Sequence, residues 1–242
     1  MENKLIIGNM KMYMNLQDIK EYLDKIGNLQ SNVIICPSSI YIPYFIEKNI
    51  NTGIQNIYYE DNGAYTGEIS VEQVKSMNIN YVIIGHSERR SYFHENDYDI
   101  NKKTKKIIEN NLKSIICIGE TLEEKNNNKT IEVLRQQLEI DLNGISKNYQ
   151  DNIIIAYEPR WAIGTGIIPS NEEIKTTIEY IKSFIQKNNN MDIKVLYGGS
   201  INESNIETLL NINNLDGFLI GHSCTNPDKF RNIIDRINTF DK

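Results

Sequence analysis

The side chains best suited to chemistry in this chain of 242 residues share one habit: each follows a short apolar run. Asn9 and Lys11 close the run from Leu5 (LIIGN). His86 and Glu88 close the run from Tyr81 (YVIIGHS), Cys117 and Glu120 the run from Ile115 (IICIGE), and Glu158 the run from Ile153 (IIIAYEP). A carboxylate at the end of an apolar run is costly unless it is paired or functional. Desolvation is expected to raise the Glu158 pKa and make it a general base near neutrality. A lysine in that position is ordinarily a solvated charge, but in an acidic chain Lys11 gives local positive potential to an anion. His86 runs straight into a polar turn or short helix (Gly85-His86-Ser87-Glu88-Arg89-Arg90), and a helix N-terminus disfavours imidazolium, leaving a neutral hydrogen-bond donor. The chemistry these types allow together is proton transfer on an anionic substrate.

These residues need elements that bring them together. Further apolar runs begin at Val33 (VIIC), Val195 (VLYGGS) and Phe218 (FLIGHS), with an eighth, weaker run at Thr52–Asn56. Most lack polar alternation, as parallel strands buried on both faces do. Between them lie helical patterns: Ile19, Tyr22, Leu23 and Ile26 within 17–26, then Ile131, Leu134, Leu138 and Leu142. Ser170 with Glu173 reads as a capping box. The tracts Asn126–Asn128 and Asn188–Asn190 read as surface loops or frayed helix ends. Strand–helix alternation without linker or composition break predicts one (β/α)8 TIM-barrel domain over residues 1–242, eight parallel strands inside outer helices. An open doubly wound sheet would carry a Gly-rich turn after its first strand, and Gly8-Asn9-Met10-Lys11 is not one.

In a barrel the C-terminal strand ends build the active site, which is where the residues above fall. Tyr197-Gly198-Gly199-Ser200 and Gly221-His222-Ser223 follow the seventh and eighth strands, where backbone N–H groups can approach an anion such as phosphate. Trp161-Ala162-Ile163-Gly164-Thr165-Gly166 has the apolar, glycine-bearing composition of a lid. The net charge of −6 argues against nucleic-acid or acidic-membrane partners. No run reaches the ~20 apolar residues that span a bilayer, and nothing in Met1–Lys4 resembles a signal peptide. Cys36, Cys117 and Cys224 are odd in number and lack metal-ligand spacing, which reads as reduced thiols in a cytoplasmic protein.

The motifs together resemble the triosephosphate isomerase family along essentially the whole chain. They are Gly8–Met12, Gln55-Asn56, Gly63–Glu68 (GAYTGE), Gly85–Arg90 (GHSERR), Cys117–Glu120, Tyr157–Gly166 (YEPRWAIGTG), Tyr197–Ser200 and Asp216–Gly221. The resemblance implies interconversion of dihydroxyacetone phosphate and glyceraldehyde 3-phosphate, with no metal or organic cofactor. It implies Glu158 as the proton-transferring base, His86 as a neutral electrophile, Lys11 as stabiliser of anionic substrate and enediolate, and Asn9 as an orienting group. Gly164, Ser200 and the amides of Gly221 and His222 would hold the phosphate. Glu88 would position Lys11, Cys117 would support the site, and the loop around Thr66 would lock a homodimer and reach the partner's site. Three residues depart from the family's pattern: Met10 for the usual Trp, Arg160 for Val beside the base, and His222 for the second glycine of the phosphate turn, where a Cβ is expected to clash or demand an uncomfortable φ. The alternative is a catalytically weakened homologue kept as a binding or structural protein. Another phosphate-binding barrel would share the last two turns but has no reason to carry both GHSERR and the lid.

Overall fold

The computed structural model describes residues 4–165 and 167–240; Met1–Asn3 and Gly166, a glycine of the expected lid, lie outside them. Eight strands are present: β1 Leu5–Asn9, β2 Val33–Cys36, β3 Gly53–Ile54, β4 Tyr81–Ile84, β5 Lys113–Ile118, β6 Ile153–Tyr157, β7 Lys194–Gly199 and β8 Gly217–Ile220. They pair in the order β2-β1-β8-β7-β6-β5-β4-β3, all parallel. A single parallel bridge, Ile35 with Thr52, joins β2 to the residue before β3 and closes the ring. The fold is a (β/α)8 barrel. Its third strand is shorter than the expected 52–56; just beyond it the Gln55 side chain donates to the carbonyls of Lys11 and Cys36.

Helix α1 (Leu16–Ile26) follows β1, α2 (Ile42–Glu47) follows β2 and α3 (Val71–Ser76) follows β3. Two helices, α4 (Ser87–Tyr92) and α5 (Asp97–Glu109), follow β4; two more, α6 (Leu122–Asn126) and α7 (Thr130–Asp141), follow β5. Then come α8 (Asn171–Asn189), α9 (Ile206–Leu210) and α10 (Pro227–Phe240). Reciprocal capping boxes start α1, α3, α6 and α8, satisfying N–H groups that a helix start otherwise leaves without partners. The Ser170–Glu173 box is the one expected. The Asn tracts end α6 and α8, with Asn190 in a left-handed cap at φ 52°. In α7, Leu134 and Leu138 are buried as predicted, and Leu142 at its cap too, but Ile131 is 44% exposed. It shares the helix face of Leu134 and Leu138 but lies in the first turn, at the exposed start of α7.

Strand side chains alternate between two cores. Leu5, Ile7, Ile34, Ile83, Ile115, Cys117, Ile154, Ala156, Leu196 and Leu219 fill the barrel interior. The intervening residues, among them Ile6, Val33, Val82, Ile116, Ile155, Tyr157, Val195 and Phe218, pack under the helices. Period-two alternation therefore decides what the barrel mouth receives. Asn9 continues the inward parity of Leu5 and Ile7, and Glu158 continues that of Ile154 and Ala156. His86 does not follow from parity. Gly85 breaks the strand with φ 66°, a conformation glycine adopts without steric cost, and turns His86 to the head of α4.

Candidate active site

Asn9, Lys11, His86, Glu158, Gly164, Ser200, Gly221 and His222 all line one cavity of about 740 Å³ at the C-terminal end of the strands. Of the expected supporting residues, Glu88 and Cys117 touch this group from behind. Thr66 is exposed on the loop after β3, away from the cavity.

His86 is the N-cap of α4, and its Nδ1 accepts the backbone N–H of Glu88 at 3.3 Å. Glu88 Oε2 also approaches Nδ1 at 3.5 Å, but one nitrogen cannot accept the amide hydrogen and donate to a carboxylate at once. The aligned N–H contact fixes Nδ1 as an acceptor, so the hydrogen of the neutral ring is on Nε2. That atom faces the site, 3.5 Å from Glu158 Oε1. Glu88 lies in the first helical turn, one step beyond the expected strand end, where the helix dipole favours a carboxylate.

Lys11 occupies a left-handed conformation, φ 51°, which is strained for a side chain of this kind. Local bonds hold it there. Its N–H donates to Asn9 Oδ1 at 3.1 Å, and its carbonyl accepts from Ser38 Oγ at 2.9 Å and Gln55 Nε2 at 3.0 Å. The ammonium then reaches Glu88 Oε1 at 2.7 Å. Burial pulls its pKa down, but Glu88 and Glu158 push it up further, leaving it above the usual lysine value.

Glu158 is 5% exposed, and its Oε2 has no hydrogen-bond partner among the described residues. Burial pushes its carboxyl up as expected, yet His86, Lys11 and the Cys117 thiol pull it down more strongly, so the net direction is below the usual carboxylate value. The expectation of a raised pKa is corrected: the neighbours of Glu158 favour its carboxylate form. Two glycines make room for it. A Cβ on Gly198 would meet Glu158 Cγ at 2.7 Å, and one on Gly119 would stand 1.9 Å from the Glu158 carbonyl oxygen. Sequence reading saw both only as motif letters, since neither contact is local in the chain. It also missed Glu95, whose Oε2 accepts the Gly85 N–H at 3.1 Å while its Oε1 is paired with Lys103 and Arg89. Glu95 thus braces the turn that presents His86.

Beyond the base, a 3-10 turn (Arg160–Ala162) leads into the segment 163–168. Trp161 Nε1 donates to Glu120 Oε1 at 2.8 Å, and Glu120 also accepts from the Tyr157 hydroxyl. Ser200 Oγ donates to the Ala162 carbonyl at 2.7 Å. Gly164, Thr165 and Ile167 are exposed, and the buried Tyr197 hydroxyl beneath has no partner among the described residues. Ile163 and Gly164 line the rim of the cavity. Among the described residues no group of three or more His, Cys, Asp or Glu is placed to hold a metal ion.

The triosephosphate isomerase family model matches residues 4–237. The chain belongs to the triosephosphate isomerase family. It is 40% identical over 250 residues to a triosephosphate isomerase of Alkaliphilus oremlandii, covering 97% of this chain and all of that relative. It is 37% identical over 247 residues to one of Clostridium botulinum, with 97% and 100% covered. A Francisella philomiragia triosephosphate isomerase is 40% identical over 246 residues, with 97% of each covered. Against this family, the three departures have structural answers. Met10 is buried in the outer core. The Arg160 guanidinium donates to Ser91 Oγ of α4, and the Arg160 backbone N–H donates to the Glu120 carbonyl at 2.9 Å. The strain expected at His222 is absent: it is not among the positive-φ residues. It opens a 3-10 turn (His222–Thr225), exposed, with its ring edge-on to Tyr13. Strain sits at Lys11 instead.

Proposed function

We propose that Glu158, His86 and Lys11 carry the triosephosphate isomerase reaction in this chain, interconverting dihydroxyacetone phosphate and D-glyceraldehyde 3-phosphate in glycolysis and gluconeogenesis. Glu158 takes a proton from the carbon beside the carbonyl, and the bonding pair moves onto the carbonyl oxygen as an enediolate. His86 donates from Nε2 to the substrate oxygens and moves a proton between them. Glu158 then returns its proton to the neighbouring carbon. This pairing of a carboxylate base with a neutral imidazole is the established division of labour for the reaction. The Lys11 ammonium offsets the developing negative charge, and Asn9 orients the oxygens. The phosphate rests on Gly164, Ser200 and the amides of Gly221 and His222, with no cofactor required.

The observation that carries the reading is the convergence of a carboxylate, an Nε2–H donor and an ammonium on one cavity that ends at two glycine turns. Aimed donors are worth roughly 10²–10³ in rate each, and closing segment 163–168 would protect the enediolate by excluding water. The test is a coupled assay with glyceraldehyde 3-phosphate on the wild type, Glu158→Asp and Glu158→Gln. Wild-type turnover lost in Glu158→Gln supports the assignment; equal rates in all three remove it.

The working unit is read as one domain over 1–242 and as a homodimer through the loop around Thr66. In that loop the Tyr58 ring packs in tilted contact with Tyr59 and Tyr65 at centroid distances of 4.3 and 4.8 Å, an aromatic cluster that fits a docking role. Sedimentation of the wild type against a Gly63–Glu68 deletion would decide it. A cytoplasmic location is supported by three buried free cysteines. Among the described residues no helix is long and apolar enough to cross a membrane.

A further inference from the structure

Both ends of the lid meet on one side chain that the reaction does not otherwise use. Lys125, in α6, places its ammonium 3.6 Å from the centre of the Trp161 ring and 3.0 Å from Glu173 Oε1. Trp161 belongs to the hinge turn that enters the lid, and Glu173 to the capped first turn of the helix that leaves it. The two anchors differ in firmness. Glu173 is fixed, because its Oε2 accepts from both the N–H and the hydroxyl of Ser170. Trp161 is held at one edge by the fully buried Glu120 and on one face by Lys125. Gly164, Thr165 and Ile167 of the lid are exposed, and a closure that turned the hinge would take the Trp161 ring off the Lys125 ammonium.

We infer that Lys125 is a positioning residue that pins the hinge tryptophan to the helix after the lid and so favours the open lid. The inference rests on the isomerase reading for its kinetic consequence but not for its structural one. A cation on an indole face at a partly exposed site, lost on closing, biases the lid by about two- to five-fold. Its removal strengthens substrate capture and slows release, so KM and kcat fall together when lid opening limits turnover.

Trp161 is the chain's sole tryptophan, so its fluorescence reads the hinge directly. The experiment compares the wild type, Lys125→Met, Lys125→Arg and Glu173→Gln in steady-state kinetics. It also titrates each with glycerol 3-phosphate, an unreactive phosphate ester, while following Trp161 emission. In Lys125→Met, KM and kcat are expected to drop together by about two- to five-fold. Its ligand-free emission should move toward that of the saturated wild type. Lys125→Arg, which keeps the cation on the ring, restores both, and Glu173→Gln shifts both weakly in the same direction. A rise in KM, a wild-type emission in Lys125→Met, or an Arg variant no better than Met would overturn the inference. If Lys125→Met does not fold, Lys125→Gln, which also removes the cation, takes its place with the same expected signs. A wild type without turnover would sink the isomerase reading instead, and the emission titration would still test the pin.

Discussion

The strand-end trio and the lid segment face each other across one cavity and are built on opposite principles. Around Lys11, His86 and Glu158 the side chains are half-buried or buried, His86 Nδ1 and the Lys11 ammonium are tied to Glu88, and even the strained φ of Lys11 is tied down by three hydrogen bonds. Across the cavity, Gly164, Thr165, Ile167 and Ile168 are exposed, and the turn before them is joined to the barrel through contacts of Arg160, Trp161 and Ala162. Charge stabilisation needs groups that do not reorganise when the reaction begins; admitting substrate and then excluding water needs a part that moves. Substitutions in the first region should therefore change the chemical step, and those in the second should move kcat and KM together.

The largest effect expected is from Glu158→Gln. Removing the base should cost about 10²–10⁴ in kcat, with KM little changed and an unaltered circular dichroism spectrum; a loss below tenfold would displace Glu158 from its role. Lys11→Met should follow, with kcat/KM reduced by roughly 10²–10³ and a clear rise in KM, because the ammonium acts on the ground-state anion as well.

Third is a substitution outside the cavity. Glu95 and Lys103 are a buried pair, and Glu95→Gln leaves the ammonium uncompensated, a loss of about 3–5 kcal/mol read by chemical denaturation. The pH dependence has a definite sign. Burial pushes the Glu95 carboxyl up, but Lys103 and Arg89 hold it below the usual carboxylate value. The folded-state pKa is thus depressed, and its stabilisation is present above the unfolded value. It is lost as pH falls through the folded one. The gap between wild type and Glu95→Gln should narrow below about pH 4; a gap that widens there would reverse the assignment.

Lid substitutions should be milder. Arg160→Val removes the tie to Ser91 and is expected to speed closure or leave it unchanged, with kcat and KM shifting together by less than about tenfold. A larger loss of kcat would show that Arg160 is needed where it stands. Smallest is His222→Gly. Since His222 carries no backbone strain, its KM profile across roughly pH 5.5–8.5 should match the wild type if the residue serves only through its amide. A profile that flattens would assign its ring a charge on the phosphate.

Much of this was legible in the chain. Continuous β-branched runs alternating with amphipathic segments specify a parallel barrel, because strands buried on both faces need apolar side chains in both directions. The same runs place Asn9 and Glu158 at the mouth by parity alone, and GHSERR and YEPRWAIGTG carry enough order to mark the family. Residue type also set what each group can do: only a carboxylate, an imidazole and an ammonium offer base, neutral donor and fixed positive charge.

Tertiary structure decided what depends on atoms distant in sequence. The net pKa direction of Glu158 came from three neighbours on three other elements outweighing burial, a balance no local reading supplies. Gly119 just past β5 and Gly198 on β7, the two strands that flank β6, leave room for the backbone and the side chain of Glu158 respectively. Lys11, with no glycine's freedom, is held at φ 51° by Gln55 and Ser38 from later strand ends. His222 looked strained in sequence and is relaxed in space. Sequence fixes periodicity and chemical type because these are properties of each residue and its near neighbours; electrostatic balance, steric room and tolerated strain are sums over contacts that exist only once the barrel has closed.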